Sequence, residues 1–289
     1  MIKYDFVFCG CGPSINGLLI NMLINNKLHL LLNKKVLFID KNDKIGSGSL
    51  SNYIINSNSK NTAFLEIAKY LDKYNIKSTE GYKKLNSYNE ETFKLSDSKE
   101  YLESLGDIIE NEIISSNNTI YKNSTVEQIN CLSANNLKVT IKKNNNVLED
   151  IYTNNIFLNM GGCINYNYIF NKYPYLNNLK DKIIDGIRFL NINYDIINCK
   201  TITIIGNSFT AWCVVLHIIN TNPNCNINII FRNKTRLFYE SIDKANNDGY
   251  NYESVDICPL SGRVNRYSGL RSIHKTIAKD VMNGKYKNI

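Results

Sequence analysis

Histidine, tryptophan and proline are all scarce in this chain, with three, one and four residues in 289. His29, His217 and His274 each fall in a helix-like segment with no partner at metal-ligand or catalytic spacing. No metal centre and no histidine-based nucleophile pair is therefore expected. The eight cysteines form no CxxC, which argues against a zinc ribbon and against a dithiol redox pair. Reduced thiols in a cytoplasmic protein are expected instead, with Cys131, Cys199, Cys213 and Cys225 as small core residues. No run of eighteen apolar residues exists, so no transmembrane helix and no membrane partner is expected. The apolar stretch in "MIKYDFVFCGCG" is too short for a signal peptide. No block of five or six like charges occurs. The formal net charge is +8, but the lysines are scattered. That favours a solvated basic surface over a nucleic-acid footprint.

What is present suits a packed α/β protein. Hydrophobic residues make up 43% and charged residues 21% of the chain, and the length fits one large domain or two small ones. Asn, Lys and Ile dominate stretches such as "NKLHLLLNKK" and "IKKNNNVLED", as a compositional drift on loops and exposed faces. "KYDFVFC", residues 3–9, reads as a buried strand, Asn16 to Leu32 as a helix, and "KKVLFID" as a second strand ending in Asp40. Strand, glycine turn, helix and strand make a βαβ unit. "TAFLEIAKYLDKYN" and "SKEYLESLGDIIENEIISSN" have helical spacing. The segment from Ser124 to Gly162 alternates as two or three antiparallel strands and a final buried strand, "NIFLNM". A second βαβ unit follows in "KTITIIG", "SFTAWCVVLHIIN" and "CNINIIFR", and a last helix begins near Ser272.

The chemistry sits in the glycine turns. A strand that turns at once into a helix needs backbone angles that glycine takes cheaply. A second glycine clears space for a diphosphate, and the helix N-terminus offers it unpaired N–H groups. Gly10 and Gly12 fit these roles, with Pro13 and Ser14 opening the helix. Asp40, followed by Lys41, fits the acidic residue that accepts ribose hydroxyls, although its spacing from Gly12 is long. Ile15 stands where GxGxxG would place its third glycine. In "GNSFTA", Gly206 makes the second turn, Asn207 and Ser208 follow, and Phe209 and Thr210 start the helix. Arg232, Lys234 and Arg236 follow the next strand, where cations suit the 2′-phosphate of NADP.

Two such units, with an antiparallel insert between them, resemble flavoproteins with two dinucleotide-binding domains. These include flavin-dependent monooxygenases, amino-acid N-hydroxylases and pyridine-nucleotide disulfide reductases. "GCGPSINGLL" resembles their FAD fingerprint, "GNSFTA" their NADPH motif, and "IFLNMGG" their ATG segment, with only Gly161 kept. The resemblance implies a Rossmann-like parallel-sheet FAD domain with an antiparallel insert, residues 1–163. It implies a second Rossmann-like NAD(P) domain, residues 164–289, whose tail docks back on the first. It also implies that NADPH reduces FAD and that the flavin then oxidises a small molecule of unspecified identity. The missing CxxC speaks against the disulfide-reductase route. One departure is that no Gly-Asp element follows residue 236, where "DICPLSGRVNRYSGLR" stands instead.

Candidate pocket residues follow from the same reading. Gly48, Ser49, Tyr53, Asn56 and Ser57 lie in the loop after the acidic strand, where the family lines its flavin and substrate. Arg263, Arg266 and Arg271 flank Gly262 and Gly269 and suit a phosphate or carboxylate. Trp212 reads as core. No catalytic acid or nucleophile is singled out. Two other readings stand beside the oxidoreductase: a non-catalytic nucleotide-binding or scaffold protein, and a methyltransferase built on "FCGCG". The methyltransferase leaves the second glycine turn without a role.

Overall fold

Lys3–Cys9 (β1) extends because Val7 and Cys9 bury on one face while Phe8 buries on the other. It opens the first of two compact units in this computed structural model, which describes residues 2–89, 92–162, 164–191 and 198–289. The first unit comprises Met1–Tyr53 and Asn61–Ile164; the second comprises Ile54–Lys60 and Asn165–Ile289.

In the first unit β1 leads through a turn into α1 (Pro13–Ile24), α2 (Leu28–Leu32) and β2 (Val36–Ile39). After α3 (Asn61–Leu65), α4 (Glu80–Asn86) and α5 (Lys99–Ser115) come β3 (Thr119–Tyr121), β4 (Thr125–Ser133), β5 (Asn136–Lys142) and β6 (Leu148–Leu158). The six strands form one sheet in the order β3-β2-β1-β6-β5-β4. β3, β2, β1 and β6 run parallel, and β6, β5 and β4 antiparallel. All four β2 residues are buried, as befits a parallel strand covered on both faces. Phe8, Val36 and Phe38 pack with Ile15, Leu19 and Ile20 of α1 and with Leu105, Ile109 and Ile113 of α5. On the other face Val7, Leu37 and Ile39 meet Val139, Ile141 and Ile151 from the antiparallel strands.

The second unit holds α6 (Tyr166–Lys172), α7 (Gly186–Asn191), β7 (Thr201–Ile205), α8 (Phe209–Thr221), β8 (Asn226–Ile230), α9 (Ile242–Asn247) and α10 (Ser272–Met282). β7 and β8 pair in parallel. Its core gathers Trp212, Val215 and Ile218 of α8 with Ile227, Leu237, Val264, Leu270 and Ala278. His274 of α10 is buried with its ring edge-on to Phe209, and its Nε2 lies 3.3 Å from Cys213 Sγ. His217 meets Phe189 edge-on, and His29 is exposed.

Four expectations need correction. The helix expected over Asn16 to Leu32 starts at Pro13 and breaks after Ile24, where Asn26 takes a left-handed φ of 54° and Lys27 N–H bonds back to Met22 O. The helix expected over Thr62 to Asn75 is α3 followed by 3₁₀ turns, Glu66–Tyr70 and Asp72–Tyr74. The buried residues there are Leu65, Ala68 and Leu71, and a spacing of three matches the 3₁₀ repeat. "NIFLNM" is not a separate buried strand. It is the end of β6, where Phe157 and Leu158 are 41% and 54% exposed. Cys131 faces solvent on β4, whereas Cys213 and Cys225 are buried. Cys163 and the stretch 192–197, left unassigned by the sequence, lie outside the described residues.

Glycines set the closest approaches in the first unit. A Cβ on Gly106 of α5 would overlap the carbonyl oxygen of Ile45, whereas one on Gly17 of α1 meets nothing within 4 Å. Gly106→Ala should therefore cost about 1–3 kcal/mol in urea unfolding. Gly17→Ala should stabilise by up to about 1 kcal/mol through helix propensity. In the second unit, burial lowers the His274 pKa to about 4. The native ring stays neutral while the unfolded chain binds a proton below about pH 6.5. Stability of this unit should thus fall as pH drops from 6.5 towards 4, by about 3 kcal/mol in total. Fluorescence of Trp212, the one tryptophan, reports the unfolding, and His274→Leu should flatten that window.

Candidate functional site

Gly10 closes β1 with φ +89°, and a Cβ there would overlap the carbonyl oxygen of Asn159 at the end of β6. Only glycine satisfies both demands. Cys11 is then held from both sides. Its N–H donates to Asp40 Oδ2 at 2.7 Å, and its carbonyl accepts from Gly46 N–H at 2.9 Å. Burial and the nearby Asp40 carboxylate push the Cys11 thiol far above its usual range, so it is an inert core thiol. Gly12 caps α1 and faces Gly48, whose own Cβ would come within 3.2 Å of Gly12 Cα and 3.0 Å of Pro13 Cδ. Two loops therefore meet glycine to glycine over the start of the helix.

The first hydrogen bond of α1 runs from Asn16 N–H to Gly12 O. The amides of Ser14 and Ile15 thus have no intrahelical acceptor. No side chain caps this end, and no acidic residue stands in the first turn. The side chain of Ile15 turns into the core, so the departure from GxGxxG leaves the mouth of the turn clear. Asp40 is buried, with Oδ1 accepting from Asn42 N–H at 2.8 Å. Both of its oxygens already serve the main chain, and each keeps a further lone pair for a ribose hydroxyl. Lys41, Ser14 and Ser49 are exposed beside these elements.

The second turn is built on the same plan with looser packing. Gly206 has φ +113°, but a Cβ there meets nothing within 4 Å, so its need for glycine is conformational. Ser208 caps α8 without a side-chain bond, and no acid stands in the first turn. Asn207 Nδ2 donates to Asn233 O at 2.7 Å, tying the turn to the loop after β8. Phe209 packs on His274, and Thr210 lies against Gly186. The three cations after β8 divide. Lys234 and Arg236 approach the buried Asp256 at 3.6 and 3.8 Å. Arg232 is exposed and makes no ion pair among the described residues.

The loop candidates separate between the units. Gly48, Ser49 and Tyr53 belong to the first unit, and the exposed Asn56 and buried Ser57 to the second. Gly161 is exposed at φ +73° with no neighbour within 4 Å. Arg263 and Arg266 sit on one loop of the second unit with Arg271, and Arg266 Nη1 reaches Cys258 Sγ at 3.5 Å. Ser261 and Arg266 together lower the Cys258 pKa to about 6. Cys258 escaped sequence reasoning because its signal is spatial. Asn16 escaped too: it is buried in the first turn of α1, with Nδ2 donating to Leu102 O at 3.2 Å. Among the described residues no cluster of metal-ligating side chains exists, and no helix is long and apolar enough to cross a membrane.

The clamp on Cys11 yields a direct test. Asp40→Ala would leave the amides of Cys11 and Asn42 without their acceptor and should cost about 2–3 kcal/mol in urea unfolding. Loss of under about 0.5 kcal/mol would show that the carboxylate does not hold the turn.

No protein-family profile matches the chain. Among curated proteins it is 30% identical over 89 residues to CMP-5′-(3-aminopropyl)phosphonate hydroxylase of Streptomyces rubellomurinus. That match covers 28% of this chain and 20% of the relative. Among solved structures it is similar to the ornithine hydroxylase PvdA of Pseudomonas aeruginosa, with a TM-score of 0.53 and 14% identity over 100% of this chain and 72% of that one. It is similar to the cadaverine monooxygenase DfoA of Erwinia amylovora, solved with FAD, with a TM-score of 0.61 and 15% identity over 99% and 66%. The ornithine N-hydroxylase KtzI of Kutzneria sp. 744, solved with reduced FAD, NADP⁺ and L-ornithine, gives a TM-score of 0.51 and 12% identity over 99% and 68%. The chain thus spans about two thirds of the length of these structures, and it has the fold of the two-domain flavoprotein monooxygenases.

Proposed function

We propose that this chain binds FAD at the β1–α1 turn and NADPH at the β7–α8 turn, and serves as a flavin-dependent monooxygenase of a small primary amine. The observation that carries the reading is the pair of uncapped, acid-free helix N-termini, each behind a glycine of positive φ. That arrangement suits a diphosphate and has no other evident use. FAD would supply the redox centre, taking electrons from NADPH and passing them to dioxygen.

The chain's own residues would do the holding and orienting. Ser14 and Ile15 amides would face the FAD diphosphate, and Asp40 would take the ribose through its spare lone pairs. Gly12 and Gly48 would leave room for the ligand backbone between their loops, with Pro13, Lys41, Ser49 and Gly161 at the margins. Asn207, Ser208, Phe209 and Thr210 would shape the second turn, and Arg232 would meet the 2′-phosphate of NADPH. In this reading residues 1–163, apart from Ile54–Lys60, are the FAD domain, and 164–289 together with Ile54–Lys60 the NADPH domain. Tyr53, in the first unit, would line the substrate side. Ornithine, cadaverine and the aminopropylphosphonate named for the similar proteins each present a primary alkyl amine. A cytoplasmic location follows from the demand for NADPH.

Titration with FAD, then NADPH without oxygen, tests the reading. A yellow holoprotein bleached by NADPH is expected. Colourless protein that refuses added FAD overturns it, and bound flavin that NADPH cannot bleach supports the scaffold alternative. Arg232→Ala should weaken NADPH by about 10- to 100-fold, the worth of a charge-assisted contact, and leave NADH nearly unchanged. Equal loss for both coenzymes would remove the phosphate contact.

A further inference from the structure

No acidic residue lies between Asp256 and Asp280, while Arg263, Arg266, Arg271, Lys275 and Lys279 all do. The fold draws the three arginines together. Ile257 bridges Val264, Cys258 N–H donates to Arg263 O at 2.9 Å, and Gly262 turns the chain at φ 64°. Asn265, buried in a left-handed conformation, anchors the next turn through Leu237 O at 3.0 Å.

Arg271 is the platform. It is half-buried and spends its donors on Asn58 O at 3.2 Å, Ser59 Oγ at 3.1 Å and Arg266 O at 2.6 Å. Its guanidinium also lies 4.0 Å from the centre of the Phe238 ring. Every one of these partners is neutral. Burial, Arg263 and Arg266 all lower the Arg271 pKa, so the three cations feel one another. Of the carboxylates nearby, Glu240 pairs with Lys244 and feels Arg263 only through space, and Asp256 pairs with Lys234 and Arg236. Arg263 is exposed, and the Arg266 guanidinium reaches a thiol and the face of Tyr267 but forms no ion pair among the described residues.

Holding like charges together with no ion pair of their own costs stability, and a bound anion offsets that cost. Guanidinium forks match the oxygens of a phosphoryl group better than they match a point anion. We propose that Arg263 and Arg266, set in place by Arg271, form a binding site for a phosphate or phosphonate group. The phosphoryl group belongs to the small molecule the protein acts on rather than to a coenzyme. The phosphate site stands on the second unit alone, and its assignment to the substrate rests on the proposed function.

Inorganic phosphate and 3-aminopropylphosphonate, titrated into the full chain by ³¹P NMR or calorimetry, test it. Both should bind, and Arg263→Gln/Arg266→Gln should weaken both at least about tenfold, the scale of one charge-assisted contact. Arg188→Gln, which removes an exposed charge elsewhere in the second unit, should leave them unchanged. An unchanged thermal midpoint verifies that the double variant is folded, and Arg266→Lys should recover part of the affinity. NADP⁺ should not displace the phosphonate. Equal binding by the double variant, no binding by the wild type, or loss of binding in Arg188→Gln each overturns the site. Displacement by NADP⁺ overturns its assignment to the substrate. FAD binding is scored on the same samples. A chain that refuses FAD yet binds phosphonate keeps this site and loses the flavoprotein function, and the reverse outcome does the opposite.

Discussion

The peptide of Cys11 is the point on which the first unit turns. Its N–H is taken by Asp40 from the end of β2, and its carbonyl by Gly46 from the loop beyond. One residue earlier, Gly10 N–H bonds to Ile39 O, and the chain passes Asn159 so closely that no Cβ fits. The end of β2, the loop that follows it and the distant end of β6 thereby converge on a turn of a few residues. The position of α1 follows from that convergence. Because Asp40 and the backbone already satisfy the turn's inner groups, the outward-facing amides at the start of the helix are the ones left over.

The second unit repeats the device with less constraint. Gly206 needs its backbone angle but has space around it, and Asn207 replaces the buried carboxylate as the tie to the neighbouring loop. The difference is physical rather than one of motif. In the first unit the parallel strands are covered on both faces, so the turn is boxed in. In the second, β7 and β8 keep exposed residues such as Thr203 and Asn228 on the face away from α8. The core instead gathers around Trp212, Leu270 and a buried neutral His274.

Much of this architecture is legible in the sequence because its signals are local. Residues 3–9, β2, α5, β7, α8, β8 and the start of α10 at Ser272 all carry their own periodicity or their own glycine. The two glycine turns announce themselves by the switch from strand to helix. The pairing of Arg271 with Asn58 does not, since the two lie 213 residues apart and nothing in "SNSK" marks it. The separation of Arg232 from Lys234 and Arg236 is equally invisible, since only the fold brings Asp256 beside two of the three cations.

What the sequence determined by itself is the two strand–turn–helix–strand units and the residues at their turns, because backbone angle and burial period are properties of a few neighbouring positions. The tertiary structure alone decided which strand β6 would join. It pairs antiparallel with β5 at one end and parallel with β1 at the other. It also decided that the stretch after Leu65 would wind as 3₁₀ turns, and that Ile54–Lys60 would fold with the second unit. Each of these outcomes depends on contacts between distant segments, and the free energy of such contacts outweighs the local preference of any single stretch.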